Sequence, residues 1–307
     1  MSNTTGIEWA HSTVNIWAGC TKVSPACKHC YAETNRSVLS LGARVRGKGL
    51  PMWGANGFRY ETANWERELR RLNRRERHMR EQFGAEHVRR RVFVNSLSDT
   101  FEDWCGPVYR LDNGQPGVVA QSLDDVRVRF FRVAEECTEL DILLLTKRPK
   151  NVKYMAPPHW YIAKWPSHIW LGTTVEDQEH ADKRIPELLK VPAKVRFLSV
   201  EPLLGKVDLA KGEWLSPLWD APSTWRGVSW VIVGGESGHG ARPMHPDWAR
   251  SIRDRCEAAG VPYFFKQWGE YGHVDGRELG GKVVFVKEGK KNAGRVLDGR
   301  TWDEVPR

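Results

Sequence analysis

No run of about 18 apolar residues occurs in this 307-residue chain, so no membrane-spanning helix is expected. The first thirteen residues are polar and lack the basic-then-apolar pattern of a secretory leader, which makes a cytosolic protein the expectation. Repeats and low-complexity tracts are missing as well. No H-E-x-x-H pair, Walker loop or G-x-S-x-G element is present, so those hydrolase and nucleotide signatures are excluded. Gly234-Gly235-Glu236-Ser237-Gly238 lacks the spacing of a dinucleotide fingerprint and lies late in the chain. Acidic residues are outnumbered, 38 against 47 basic ones, and the formal charge of +9 suits a polyanionic partner or a basic surface.

Hydrophobic residues make up 40% of the chain, enough for a sizeable core. Short apolar runs alternate with helical patterns, which predicts a parallel sheet with crossover helices. Strands are expected near 14–17, 92–96, 142–146, 169–173, 195–200, 230–234 and 263–266. Helices are expected where Trp65, Leu69, Leu72, Met79 and Phe83 share a face, and over 122–137, 178–190 and 246–259. Residues 205–228 have no clear period and read as an insertion. Residues 1–269 are thus expected to form one barrel-like α/β domain, and 270–307 a small C-terminal appendage with a strand at 283–286. Six or seven βα units gather reactive groups at the carboxyl ends of the strands. Each run here ends in polar residues: Asn95-Ser96-Leu97-Ser98-Asp99, Thr146-Lys147-Arg148, Thr173-Thr174-Val175-Glu176, Ser199-Val200-Glu201, Gly234-Gly235-Glu236 and Lys266-Gln267-Trp268.

In a reducing compartment six cysteines suggest metal or redox chemistry before disulfides. Cys20, Cys27 and Cys30 lie on one loop with the spacing C-x6-C-x2-C. Three thiolates can hold three corners of a cubane cluster and leave the fourth iron open. A structural zinc site adding His29 or His11, and a redox pair of Cys27 with Cys30, use the same residues. Cys105, Cys137 and Cys256 are scattered and read as buried free thiols.

The loop resembles a variant of the radical S-adenosylmethionine signature C-x3-C-x2-C. The wider chain is similar to a phage- and prophage-associated family with a three-cysteine motif. The resemblance rests on Trp17-Ala18-Gly19-Cys20 with Cys27-Lys28-His29-Cys30-Tyr31-Ala32-Glu33, Leu145-Thr146-Lys147-Arg148-Pro149, Trp170-Leu171-Gly172-Thr173-Thr174-Val175-Glu176 and Phe197-Leu198-Ser199-Val200-Glu201-Pro202-Leu203. It also takes in Val94-Asn95-Ser96-Leu97-Ser98-Asp99, Val233-Gly234-Gly235-Glu236-Ser237, Phe264-Phe265-Lys266-Gln267-Trp268-Gly269 and Leu297-Asp298-Gly299-Arg300. The first gap of six residues, where the common signature has three, is the departure.

The resemblance implies a partial (β/α) TIM-type barrel of six to seven mostly parallel strands, a 4Fe–4S cluster and S-adenosylmethionine. It implies a step that isomerises an amino-acid-type substituent on a hypermodified thymine in phage DNA, in an infected or prophage-bearing cell. Spore photoproduct lyase is a distant analogue. An electron donor such as flavodoxin or ferredoxin would be needed. A free nucleotide or a protein is the alternative substrate, and a nucleic-acid-binding protein with a structural metal is the alternative class.

A cofactor with an ammonium, a carboxylate, a ribose and an adenine needs a mixed polar site. Asn95, Ser98 and Asp99 are assigned to the methionine ammonium and carboxylate, with Lys147 or Arg148 on the carboxylate. Thr173, Glu176 and Glu201 are assigned to the ribose. Gly234-Gly235 would let backbone approach a ligand, with Glu236 nearby. From Arg67 to Arg91 ten arginines face four glutamates, a local +6. Arg70, Arg71, Arg74 and Arg75 are the candidate phosphate contacts. Most of the fifteen tryptophans are expected in the core, with Trp53 and Trp268 as candidate walls for a flipped base.

Overall fold

The apolar runs become strands buried on both faces, as parallel sheets covered by helices require. In the computed structural model, residues 5–34, 52–112, 115–216, 227–274 and 283–306 are described. Seven strands form one parallel sheet: β1 (Ser12–Val14), β2 (Arg90–Val94), β3 (Leu140–Thr146), β4 (Ile169–Thr174), β5 (Arg196–Val200), β6 (Trp230–Gly234) and β7 (Tyr263–Gln267). Their order in the sheet is their order in the chain. A doubly wound sheet reverses its order at a switch point, whereas a β/α barrel does not. The chain therefore has the architecture of a partial β/α barrel, with seven strands where the full barrel has eight.

Helices α1 (Trp65–Phe83), α2 (Leu123–Glu136), α3 (Gln178–Leu189) and α4 (Pro246–Ala258) fall on the periodic segments. Their ends follow local chemistry. Ser122 and Asp125 form a capping box at the start of α2, and the Asp177 side chain accepts the His180 N–H at the start of α3. Pro246 occupies the first turn of α4, where no N–H is needed. Among the described residues, no helix is long and apolar enough to cross a membrane.

The chain divides into two compact units, Met1–Val23 with Ala32–Leu171 and Ser24–Tyr31 with Gly172–Arg307. The first holds β1 to β3, α1 and α2. Its core is aromatic: Trp65 packs on Phe130, Phe130 on Phe131, and Phe131 on Trp160. It also holds a second sheet that the sequence pattern did not reveal, made of Trp17–Ala18, Arg59–Glu61, Val108–Asp112 and Gln115–Ala120. The strand expected at 14–17 is split between the two sheets. Asparagine side chains make the break. Asn15 accepts from the Leu97 N–H (2.9 Å) and Asn95 from the Ile16 N–H (2.7 Å).

The second unit holds β5 to β7, α3 and α4. The C-terminal residues are stitched to it. Phe265 N–H donates to Trp302 O (2.9 Å), Trp230 Nε1 donates to Glu304 O (2.8 Å), and Tyr263 meets the Trp302 ring edge-on. The expected strand at 283–286 is observed as Val284–Lys287, paired antiparallel with Tyr271–Val274. Residues 217–226 of the expected insertion and 275–282 of the appendage lie outside the described residues.

Candidate functional site

Cys20 follows the strand Trp17–Ala18, and its backbone is fixed by its neighbours. Gly19 has φ +105°, and a Cβ there would sit 2.6 Å from Met52 O and 2.9 Å from Phe58 O. Only glycine passes this point. Cys20 O accepts from the Gly54 N–H (3.0 Å), and the Thr21 N–H donates to Glu102 Oε1 (2.6 Å).

Two buried arginines hold the next peptide. Arg59 makes a two-pronged pair with Glu102 at 2.8 and 2.7 Å, and also donates to Thr21 Oγ1 (2.9 Å). Arg148 donates to Thr21 O (2.8 Å) and to Asp99 Oδ2 (3.0 Å), and its Nη1 lies 3.8 Å from Cys20 Sγ. Burial alone would lower the Arg148 guanidinium. Asp99, Cys20 and Glu102 more than offset that and hold it above its ordinary value. Burial pushes the Cys20 thiol up to about 12, Glu102 and Asp99 add to the rise, and Arg148 opposes it.

The first strand-end residues are committed to this scaffold. Asp99 accepts from Phe101 N–H, Thr146 Oγ1, Lys147 N–H and Arg148, which uses all four of its acceptor sites. Asn95, in a left-handed conformation at φ +52°, bonds Ile16 N–H and Thr100 Oγ1. Ser98 donates to Trp17 O (2.9 Å). Of these three, expected on the cofactor ammonium and carboxylate, Asp99 reaches the cysteine loop through Arg148, while Asn95 and Ser98 hold Ile16 and Trp17 before it. Lys147 is half-buried and makes no side-chain hydrogen bond or ion pair among the described residues.

In the second unit, Pro25–Cys27 forms a single tight turn. Cys27 is buried and lies 3.9 Å from Ser24 Oγ; Cys30 is half-buried. Arg242 donates to Pro25 O (3.0 Å). Glu236 anchors Arg242 at 2.7 and 2.6 Å and also accepts the Arg242 backbone N–H (2.9 Å). Of the pair Gly234-Gly235, expected to let backbone approach a ligand, Gly235 lies against the chain itself. A Cβ on Gly235 would sit 1.9 Å from Trp268 O, so the close approach is to the chain's own backbone.

Thr173 is fully buried at the end of β4. Glu201 pairs with Lys266 (2.7 Å) and accepts from Ser199 Oγ (3.4 Å). Glu176 is fully buried and pairs through Oε2 with Arg184 (2.6 Å). Its Oε1 has no hydrogen-bond partner among the described residues. That oxygen is itself buried, with His180 Nε2 3.5 Å away, so Glu176 is enclosed by side chains of α3.

The arginine helix divides. Arg70 is paired with Glu66 and Glu136, and Arg71 with Glu68. Arg74 and Arg75 are exposed and make no ion pair among the described residues. Trp268 is buried, with Nε1 donating to Val296 O, so it is a core residue and not a base-stacking wall. Trp53 packs on the Met52–Phe58 cluster. Cys137 and Cys256 are buried as expected, and burial pushes Cys137 up to about 11; Cys105 is exposed, against expectation.

His11 makes a poor fourth metal ligand. Its Nδ1 accepts the Arg91 N–H (2.9 Å), and its Nε2 lies 3.4 Å from the Arg91 guanidinium. Burial, then Arg91 and Arg90, lowers its pKa from 6.5 to about 4. The folded state therefore binds fewer protons than the unfolded chain between those values. The contribution is complete above pH 6.5 and is lost as the pH falls towards 4. Acid unfolding of a His11→Gln variant, followed by circular dichroism, should accordingly be flatter over that window than that of the parent.

Among the described residues, no three His, Cys, Asp or Glu side chains are already gathered as a metal site. The donor chemistry nonetheless fits an iron–sulfur cluster: three free thiols on one loop, with Arg148 beside Cys20 opposing part of the rise that burial imposes. A family model described as "Protein of unknown function (DUF5131)" matches residues 4–306. No curated protein and no solved structure matches the chain.

Proposed function

The chain belongs to the family described as protein of unknown function (DUF5131), and from that premise we propose that it is a radical S-adenosylmethionine enzyme whose Cys20, Cys27 and Cys30 hold a 4Fe–4S cluster. One observation carries this reading. The three-cysteine loop has two of its carbonyls, Thr21 O and Pro25 O, each bonded to an arginine that a buried carboxylate holds in place. Such effort spent on three free thiols suits ligands that must be presented in fixed positions. A 4Fe–4S cluster held by these cysteines would supply one-electron chemistry towards S-adenosylmethionine, with the electron coming from an external donor such as flavodoxin or ferredoxin.

The chain's residues then divide the remaining work. Arg148 keeps positive charge beside the Cys20 sulfur. Lys147, half-buried and without a side-chain partner among the described residues, is the cation we assign to the cofactor carboxylate. We place the substrate among nucleic-acid bases, with Arg74 and Arg75 meeting phosphate. The amino-acid-type substituent of a hypermodified thymine in phage DNA is the specific expectation, resting on the resemblance.

Anaerobic reconstitution with iron and sulfide tests the reading. About four irons per chain, a brown absorbance that responds to S-adenosylmethionine, and 5′-deoxyadenosine on reduction are the expected results. Zinc bound without iron would sink it. Removing a partner in contact with a metal ligand typically costs 10–100-fold in affinity. Arg148→Leu should therefore lose iron to a chelator roughly 10–100-fold more readily than the parent, with Arg148→Lys between them.

A further inference from the structure

Phe58, Trp104 and Tyr109 line a cavity of about 230 Å³ in the first unit, with Asn56 and Cys105 exposed at its edge. The rings are fixed. Phe58 and Tyr109 meet edge-to-face at 5.9 Å. The Trp104 indole N–H donates to Ala55 O (3.3 Å), and the Arg59 guanidinium stacks 4.8 Å from the centre of its ring. Gly106, at φ +151°, leaves room for that indole, since a Cβ there would come within 2.7 Å of it. Holding a half-exposed tryptophan this firmly serves a ligand better than it serves the core.

The dimensions and chemistry limit what that ligand is. Pockets for drug-sized molecules run to about 300–1,000 Å³, so this one suits a single flat ring system. The half-exposed Trp104 is the stacking surface for such a ring, and the Asn56 amide offers both a donor and an acceptor for its edge. We propose that this cavity binds a nucleobase stacked on Trp104. Arg59, which stacks on Trp104, also bonds Thr21 beside Cys20, so the same side chain serves the cavity and the cysteine loop. The inference deepens the radical-enzyme reading by naming where a base would sit.

The base could belong to a DNA strand or to a nucleoside cofactor, and the test separates these sources. Full-length protein of measured iron content is titrated with an oligothymidylate, with an abasic strand of equal length, and with S-adenosylmethionine. Affinity and the rate of Cys105 alkylation, resolved by peptide mass analysis, are read for each. Preference for oligothymidylate over the abasic strand, with slowed Cys105 alkylation, supports a strand base. Slowed alkylation by S-adenosylmethionine alone supports a cofactor base. Trp104→Ala should weaken the binding roughly tenfold to a hundredfold, and Trp104→Phe should restore most of it.

Equal binding of both strands with no protection of Cys105 by any probe would overturn the proposal. So would unaltered binding by a folded Trp104→Ala protein. Neither result depends on iron: a protein with no cluster that still selects bases would fail only the radical reading.

Discussion

Glu102→Ala should lower the free energy of unfolding by about 3–5 kcal/mol, the range for breaking a buried ion pair on one side. Glu102 is fully buried and bonds both Arg59 and the Thr21 N–H. Removing it leaves a guanidinium that is 0% exposed with neutral acceptors in place of its carboxylate, and strands an N–H in the cysteine loop. Glu102→Gln retains the shape and an acceptor but not the charge, so its loss should be smaller. Urea unfolding of both variants checks this, and any iron site should weaken in the same order. A loss below 1 kcal/mol for Glu102→Ala would mean that Arg59 reaches another partner or water.

Gly235→Ala should be nearly as damaging, and for a different reason. Overpacking typically costs 1–3 kcal/mol, occasionally more, and here the obstacle is backbone. The new methyl would lie 1.9 Å from Trp268 O. Gly269 closes the approach from the other side, since its own Cβ would meet Glu236 O at 2.2 Å. At the adjacent Gly234 an added Cβ would meet Glu201 Oε2 at 2.9 Å, the end of a side chain that can turn away. Thermal unfolding should therefore show a large drop in Tm for Gly235→Ala and a modest one for Gly234→Ala. Equal drops would contradict the geometry.

The fold was largely legible because the signal that builds it is local. β3 carries the apolar run Ile142-Leu143-Leu144-Leu145 and a polar end, and Ser122 and Asp125 announce the start of α2 three residues apart. The second sheet was not legible. Its strands Trp17–Ala18 and Arg59–Glu61 are two and three residues long, and the latter buries two charged side chains. A charge that is buried because its partner is distant in sequence has no periodicity to betray it. Arg59 and Glu102 stand 43 positions apart, so the pair became visible only in three dimensions. The one local hint was the pair of charges set among aromatics in Phe58-Arg59-Tyr60-Glu61.

The candidate site followed the same division. The cysteines and the strand-end polar residues were found from spacing and position. Their tasks were not, because Asp99 and Asn95 spend their capacity on partners that sequence distance conceals. Arg242 was missed since nothing in Gly240-Ala241-Arg242-Pro243 marks it as a partner of Pro25, 217 positions earlier.

The clamps on Thr21 and Pro25 also bear on the long gap between the first two cysteines. A loop whose ends are pinned independently can lengthen without moving them, because closure entropy grows only with the logarithm of its length. Doubling the gap from three to six residues costs about 0.6 kcal/mol, less than a single ordinary hydrogen bond. Gap length is then nearly neutral to the fold and free to drift among related chains, while the arginines and carboxylates that grip its ends are not.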